Sequence, residues 1–340
     1  SLRMIWSTIG AILAGLVPTL MIKDTLNTSM YLKVAIIFGI LFGFAAVVTF
    51  IGTWEKVKPP VKTKLRDSFS EASSVLRSRS FKIFIGIYLS GQCAMDFVSG
   101  MAIYYVDDVL GGYDKGYLTM LMGVLLSSQL VGMIIFTPIM TRTSKRTTIL
   151  IGAPIRLAST LGLLAFSYAG APIVPVLLLS AGVGIVNAAT LTSIFAILAD
   201  MADIDELITS TRRPGIVSGM ATFARKISAG LSVWFIGLLL SLVGYDTKLA
   251  HSGVSQALTT QRGIAMIFIV IPAILVVLLL IFGYIFPITN KEFDIVKKEI
   301  GRRRGTDNST TTDDEKRILE RVTGFKYEDL WNVSNEHKVK

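Results

Sequence analysis

Eight runs of apolar residues follow one another along this chain, at roughly 4–22, 32–53, 82–106, 116–139, 148–168, 173–199, 215–243 and 263–287. A helix that crosses a bilayer needs about 20 such residues. The pattern therefore predicts an all-α polytopic membrane protein with eight spanning helices. Gly15, Pro18, Pro138, Pro154, Gly182, Gly184 and Pro272 interrupt the runs, and helices in lipid accept such residues when neighbours repair the backbone. Small residues such as those in Ser180–Gly184 favour close interhelical contact.

The polar segments between the runs alternate in charge. Residues 54–82 hold Lys56, Lys58, Lys62, Lys64, Arg66, Arg77, Arg79 and Lys82; Arg142, Lys145 and Arg146 follow the fourth run, and Arg212 and Arg213 the sixth. The intervening loops are poor in Lys and Arg. The positive-inside rule places the rich set in the cytoplasm, and with eight crossings both ends of the chain are then cytoplasmic. Pro59-Pro60 stops any helix in the linker 54–80. Phe69, Val75 and Leu76 predict a short surface helix within 66–79. The tail 289–340 is polar, with weak amphipathic helices around Phe293–Ile300 and Ile318–Val322, and Gly305–Thr312 reads as a flexible hinge. The expected organisation is two helices in 1–53, a central loop in 54–80, a six-helix bundle in 81–288 and a cytoplasmic tail in 289–340.

Composition agrees. Hydrophobic residues are 52% of the 340 and charged residues 17%, against about a quarter charged in soluble domains. The net charge of +10 sits in the membrane part, where it reads as topology and not as a nucleic-acid patch. A single cysteine, Cys93, excludes an intrachain disulfide framework and a cysteine metal site; His251 and His337 make no metal pair. No phosphate-binding loop, G-x-S-x-G or H-E-x-x-H motif is present, which argues against a pump, a protease or any enzyme. Ser1 stands almost against an apolar run, so the chain is expected to be part of something longer.

Charges inside the runs carry the chemistry. Lys226 lies about eleven residues, or about 16 Å, into its run. That is too deep for its ammonium to snorkel easily to the interface, and intramembrane cations mark functional sites. Arg225 beside it points about 100° away and could equally face a helix partner. Asp96, with Gln92 one turn before it, reads equally as a functional carboxylate and as a hydrogen-bonded helix contact. Arg156 reads as a snorkelling arginine. Gln129, Asn187, Thr190, Thr192 and Thr222 are candidate cavity-lining groups. Asp200, Asp203, Asp205 and Glu206 face Arg212 and Arg213 across a charged loop over 200–214, either as a solvated cap or as a gate of paired charges. Asp200, Asp203 and Glu206 have the spacing of one helix face.

Residues 198–226, Leu-Ala-Asp-Met-Ala-Asp-Ile-Asp-Glu…Thr-Arg-Arg-Pro-Gly…Phe-Ala-Arg-Lys, resemble a hallmark of the melibiose-permease-like glycoside–pentoside–hexuronide:cation symporters of the major facilitator superfamily. The entry Ser1-Leu-Arg-Met-Ile is similar to the family's fifth helix. Ser210 and Pro214 depart from the pattern, standing where glycine and glutamate are usual. The resemblance implies helices five to twelve of a twelve-helix carrier in the cytoplasmic membrane. It implies cation-coupled symport of a sugar with Na⁺, Li⁺ or H⁺, the cation ligands belonging to the missing first four helices. Arg3, Thr222 and Lys226 would then bind sugar, Lys226 would couple it to the cation, and Asp200, Asp203, Glu206, Arg212 and Arg213 would form the cytoplasmic gate. Gln92, Asp96, Gln129 and Asn187 remain candidate cavity positions. A carrier of another solute, such as a lipid or a nucleoside, and a non-transporting membrane scaffold are the alternatives.

Overall fold

The computed structural model describes residues 28–53, 73–112, 116–251 and 255–331, with positions 10, 13 and 21 besides. The expected span 4–22, Arg3 and most of the linker lie outside the described residues. The chain divides into two compact units, Leu2–Ser68 and Phe69–Lys340. In the first unit, helix α1 (Thr28–Gly52) is apolar from Val34 to Val48, with Lys33 near its start, and almost wholly exposed in that unit.

The second unit is a bundle of long helices. They are α2 (Arg79–Tyr104), continued by a π-helical turn to Val109, α3 (Tyr117–Arg142), α4 (Lys145–Gly162), α5 (Ile173–Thr209) and α6 (Pro214–Leu242). A short α7 (Thr247–His251) precedes α8 (Leu258–Ile285), and the tail folds as α9 (Asn290–Arg303) and α10 (Asp313–Thr323). Seven helices among the described residues are long and apolar enough to cross a membrane. Local chemistry sets their ends. Ser144 caps α4 by accepting from the Thr147 N–H at 3.0 Å, and Pro214 opens α6, where a missing N–H costs nothing. Thr289 with Glu292, and Thr312 with Glu315, form capping boxes that start α9 and α10.

Close approach of backbones holds the bundle together, as expected where lipid tails are as apolar as leucine. A Cβ placed on Gly132 of α3 would overlap the Ile185 carbonyl of α5, and one on Gly184 of α5 would overlap the Leu125 carbonyl of α3. Gly91 of α2 meets the Thr190 methyl of α5 in the same way, and Gly86 meets the Phe282 ring of α8. Two apolar clusters fill the interior. One gathers Phe81, Ile197, Ile204, Leu207, Val296, Leu319 and Leu330 at the end that carries the tail. The other gathers Met101, Tyr105, Leu121, Val176 and Phe268 at the far end, where the Tyr105 and Phe268 rings stack 4.1 Å apart.

Two expectations are corrected. The charged stretch after the sixth apolar run is not a loop: α5 continues through Asp200, Asp203, Asp205 and Glu206, and only residues 210–213 connect it to α6. The acids stay helical because interior and tail partners meet their charge. The expected helix within 66–79 is helical where it is described, α-helical at 73 and 74 and 3₁₀ at Val75–Arg77, and Ser78 then ends it and caps α2. The stretch 305–312 is held and not loose. The Arg302 guanidinium donates to the Ser309 hydroxyl at 2.9 Å and the Thr310 carbonyl at 3.1 Å, and Thr306 N–H donates to the Gly301 carbonyl at 2.9 Å.

Glu299 is the hub of that clasp. Burial alone would raise its carboxyl, but hydrogen bonds from Tyr327, Arg303, Thr311 and Arg302 outweigh it and hold the group below the usual carboxylate range.

Gly132→Val should destabilise the intact protein by about 1–3 kcal/mol or more through overpacking, read as a lowered melting temperature in detergent. Gly123→Ala on the same helix, where a Cβ meets open space, should leave it unchanged. Because Glu299's folded value is depressed, its contribution is complete above the ordinary carboxylate pKa of about 4.3 and is lost as pH falls through the lower folded value. Limited proteolysis should therefore find the tail protected at neutral pH and released only under strongly acidic conditions.

Candidate functional site

The last three turns of α5 gather charge at the tail end of the bundle. Asp200 is buried and pairs with Lys145, the first residue of α4. Asp203 accepts from Arg212 at 3.2 Å. Asp205 receives two hydrogen bonds from Arg213, at 3.0 and 2.9 Å, and the same guanidinium donates to the Ser74 hydroxyl at 3.3 Å. Glu206 pairs with Arg304, just beyond α9, while the Arg212 guanidinium stands 4.0 Å away. The five expected gate residues thus come together, with Asp203 answering to the 210–213 connection, Asp200 to α4 and Glu206 to the tail. Asp205, read in the acidic cluster but outside the five that the resemblance assigns to the gate, is the best paired of the four acids. Lys145 and Arg304 were legible only as loop and tail charges.

Ser210 ends α5 in the left-handed conformation (φ 59°), its N–H donating to the Glu206 carbonyl at 2.8 Å. That geometry explains why glycine is usual at this position: glycine reaches a positive φ without a Cβ penalty.

Deeper in the bundle, α2 and α6 are joined by charge. Arg225 donates to both oxygens of Asp96, at 2.8 and 2.7 Å, a bidentate pair about a fifth to a quarter exposed. The Cys93 thiol and the Ser228 hydroxyl meet three residues away on each helix. Of the two readings of Asp96, the helix contact is the one seen. Lys226 stands twelve residues beyond Pro214, about 18 Å along α6. Its side chain and that of Thr222, one turn earlier, lie on the exposed side of α6 within this unit. Lys226 makes no hydrogen bond or ion pair among the described residues. Gly219 and Gly230 stand near it in sequence, both open to added atoms.

Gln129 and Asn187 meet each other between α3 and α5. Both are buried, and the Asn187 amide donates to the Gln129 side-chain oxygen at 2.8 Å, tying α3 to α5. Gln92 is half-buried. Arg156 overturns the snorkelling expectation. It is 1% exposed, the largest fully buried side chain, and donates one long bond of 3.5 Å to the Gly91 carbonyl. Its Nη2 is a buried donor with no partner among the described residues, and the hydroxyl of Thr190, whose methyl packs at Gly91, is likewise buried and unsatisfied among them. Hydropathy shows how deep a residue sits but not which way its helix faces, and α4 turns Arg156 inward.

The model of the family described as MFS/sugar transport protein matches residues 1–290. Among curated proteins, the chain is 27% identical to a glucuronide carrier protein homolog of Escherichia coli (strain K12) over 64% of this chain and 46% of that protein. It is 21% identical to an uncharacterized symporter of Synechocystis sp. over 78% of this chain and 49% of that protein. The chain spans about half the length of the curated relatives it matches.

The two intramembrane arginines should respond oppositely to removal of charge. Asp96→Ala strands Arg225 and should lower the melting temperature of the intact protein, and adding Arg225→Met should recover part of the loss. Arg156→Met removes a guanidinium that no carboxylate offsets, and the melting temperature should hold or rise. A large fall for Arg156→Met, matched to that of Asp96→Ala, contradicts the reading of Arg156 as uncompensated.

Proposed function

This chain belongs to the MFS/sugar transport protein family, and on that ground we propose that it acts in a cation-coupled sugar symporter of the cytoplasmic membrane. The observation that carries the reading is the pair of adjacent cations on α6. Arg225 is neutralised by Asp96, whereas Lys226, halfway along a spanning helix, has no counter-charge among the described residues. An unsatisfied charge at that depth is costly, and it is retained where it serves a solute path. A polyhydroxylated or anionic solute needs hydrogen-bond donors near the midplane, and carriers of this kind bind there and rock two halves about the site. Lys226 and Thr222 would meet the sugar, with Arg3 from the preceding segment. A hexuronide is the favoured solute class, in keeping with the glucuronide named for a relative.

The coupling ion would be Na⁺, Li⁺ or H⁺, held by helices that precede this chain, with Lys226 linking its site to the sugar. By the positive-inside rule the tail end of the bundle, beside the basic loops, would face the cytoplasm, where the α5 acids and their arginines would open and close as a gate. A network of several partly shielded pairs can bias two conformations even though surface pairs are singly weak, about 0–1 kcal/mol each.

In the full-length protein reconstituted in vesicles, Lys226→Ala should reduce uptake of a labelled glucuronide under an imposed sodium or proton gradient to that of empty vesicles. Membrane insertion and the melting temperature should stay close to the parent's. Undiminished gradient-driven uptake in that variant would remove Lys226 from the mechanism.

A further inference from the structure

The last described residues of the chain reach back to the helix that bears the acidic cluster, and they do so twice. Glu206 has a side chain only 5% exposed, and the nearest cation to it is Arg304 of the tail, with the Arg212 guanidinium 4.0 Å away and largely in solvent. One residue further along α5, the Leu207 carbonyl accepts the Trp331 N–H at 3.0 Å. The final carbonyls of a helix have no partner within it, so Trp331 acts as a cap brought from 124 residues away. Trp331 itself has a φ of 73°, a conformation a tryptophan adopts only where its surroundings impose it.

Those surroundings are well built. Arg303 donates to the Leu330 carbonyl at 2.8 Å and to Glu299 at 2.9 Å, fixing the chain on both sides of Arg304. Leu319, Val322 and Leu330 are fully buried in the same apolar cluster as Leu207. The Ser80 hydroxyl donates to the Val322 carbonyl, and Gly324 lies against Arg79, both at the start of α2. The tail is thus anchored to α2 and from there presents one cation and one N–H to the end of α5.

We propose that the C-terminal segment is a built-in clamp of the cytoplasmic gate, with Arg304 as the residue that positions Glu206 and Trp331 as the cap of α5. This rests on the gate reading of the α5 acids given above. In the clamped state Arg304 holds Glu206, and Arg212 is left to Asp203. When the tail withdraws, Glu206 is a buried carboxylate whose remaining cation is Arg212, and the connection 210–213 must rearrange to bring that guanidinium in. The tail therefore sets how readily the connection opens. It works inside one half of the carrier and needs no partner protein.

The test uses the full-length protein in inside-out vesicles, with Cys93→Ser and a reporter thiol at Ser210→Cys, whose N–H is bonded to Glu206. The rate of N-ethylmaleimide labelling reports opening of the connection. Arg304→Ala should speed labelling roughly threefold to tenfold, the scale of a partly buried charge pair, and Arg304→Lys should restore most of the protection. Ending the chain at Leu330 should speed it independently, through loss of the cap. Glu206→Gln should reproduce the Arg304→Ala effect, and combining the two should add little, since both remove one interaction. Arg213→Ala, which frees Asp205, serves as the positive control. Faster labelling with Arg213→Ala but parental rates for Arg304→Ala and for the shortened chain overturn the clamp, as does full additivity of Arg304→Ala with Glu206→Gln. Labelling is read without any solute, so a failure of sugar transport in the Lys226 experiment leaves this outcome intact and separately decided.

Discussion

Helix α5 is longer than a bilayer requires, and much of this architecture follows from that excess. Its 37 residues extend about 55 Å at 1.5 Å per residue, against a hydrocarbon layer of about 30 Å. The surplus cannot be apolar, because it leaves the lipid, and it cannot fray, because α4, α9 and the chain end all bind it. The solution is a helix whose first part packs through small residues and whose last three turns carry four carboxylates. The glycine contacts with α3 fix its axial position. Any slide that improved one charge pair would drive the Ile185 carbonyl into Gly132, so the charge cluster inherits its geometry from backbone packing deep in the bundle.

The same economy governs charges within the apolar part. A guanidinium in hydrocarbon demands either a carboxylate or enclosure by polar groups. Arg225 has the first in Asp96. Arg156 has only the second, and in small measure: one long bond to a carbonyl and a neighbouring hydroxyl that is itself unsatisfied. Two arginines at comparable depth therefore do opposite things energetically. One links α2 to α6; the other is a cost that the close packing of α2, α4 and α5 carries.

Spans were readable because bilayer thickness imposes a length, and the six spans from 82 onward match helices of the structure to within a few residues at most ends. The main miss was the end of α5, where clustered acids were read as a loop. Their helical spacing at 200, 203 and 206 was visible all the same, and what hid the helix was that their partners are remote in sequence. Lys145 lies 55 residues from Asp200, Arg304 lies 98 from Glu206, and Arg225 lies 129 from Asp96. No local periodicity encodes such pairs. The inward turn of Arg156 had a signal that went unused: Thr148, Gly152, Arg156 and Thr160 recur every four residues on one side of α4, and that polar and small-residue side is the buried one. The tail failed to show its role because near-balanced charge looks like a solvated segment until Arg302, Arg303 and Arg304 are seen to reach three different destinations.

The adjacency of Arg225 and Lys226 carries the functional argument furthest. Successive residues on a helix diverge by about 100°, so a helix that turns one cation toward a neighbour must turn the next elsewhere. Within this unit a single carboxylate, Asp96, serves the two, and it is taken up entirely by Arg225 through both of its oxygens. That arrangement fixes the rotation of α6 against α2, and the fixed rotation in turn holds the ammonium of Lys226 on the opposite side. A lone lysine could swing to whichever face cost least; a lysine next to a bidentate arginine cannot choose its side of the helix. The ion pair thus positions a charge it never touches, and a cation with no partner among the described residues, halfway along a spanning helix, is a consequence of the compensated one beside it.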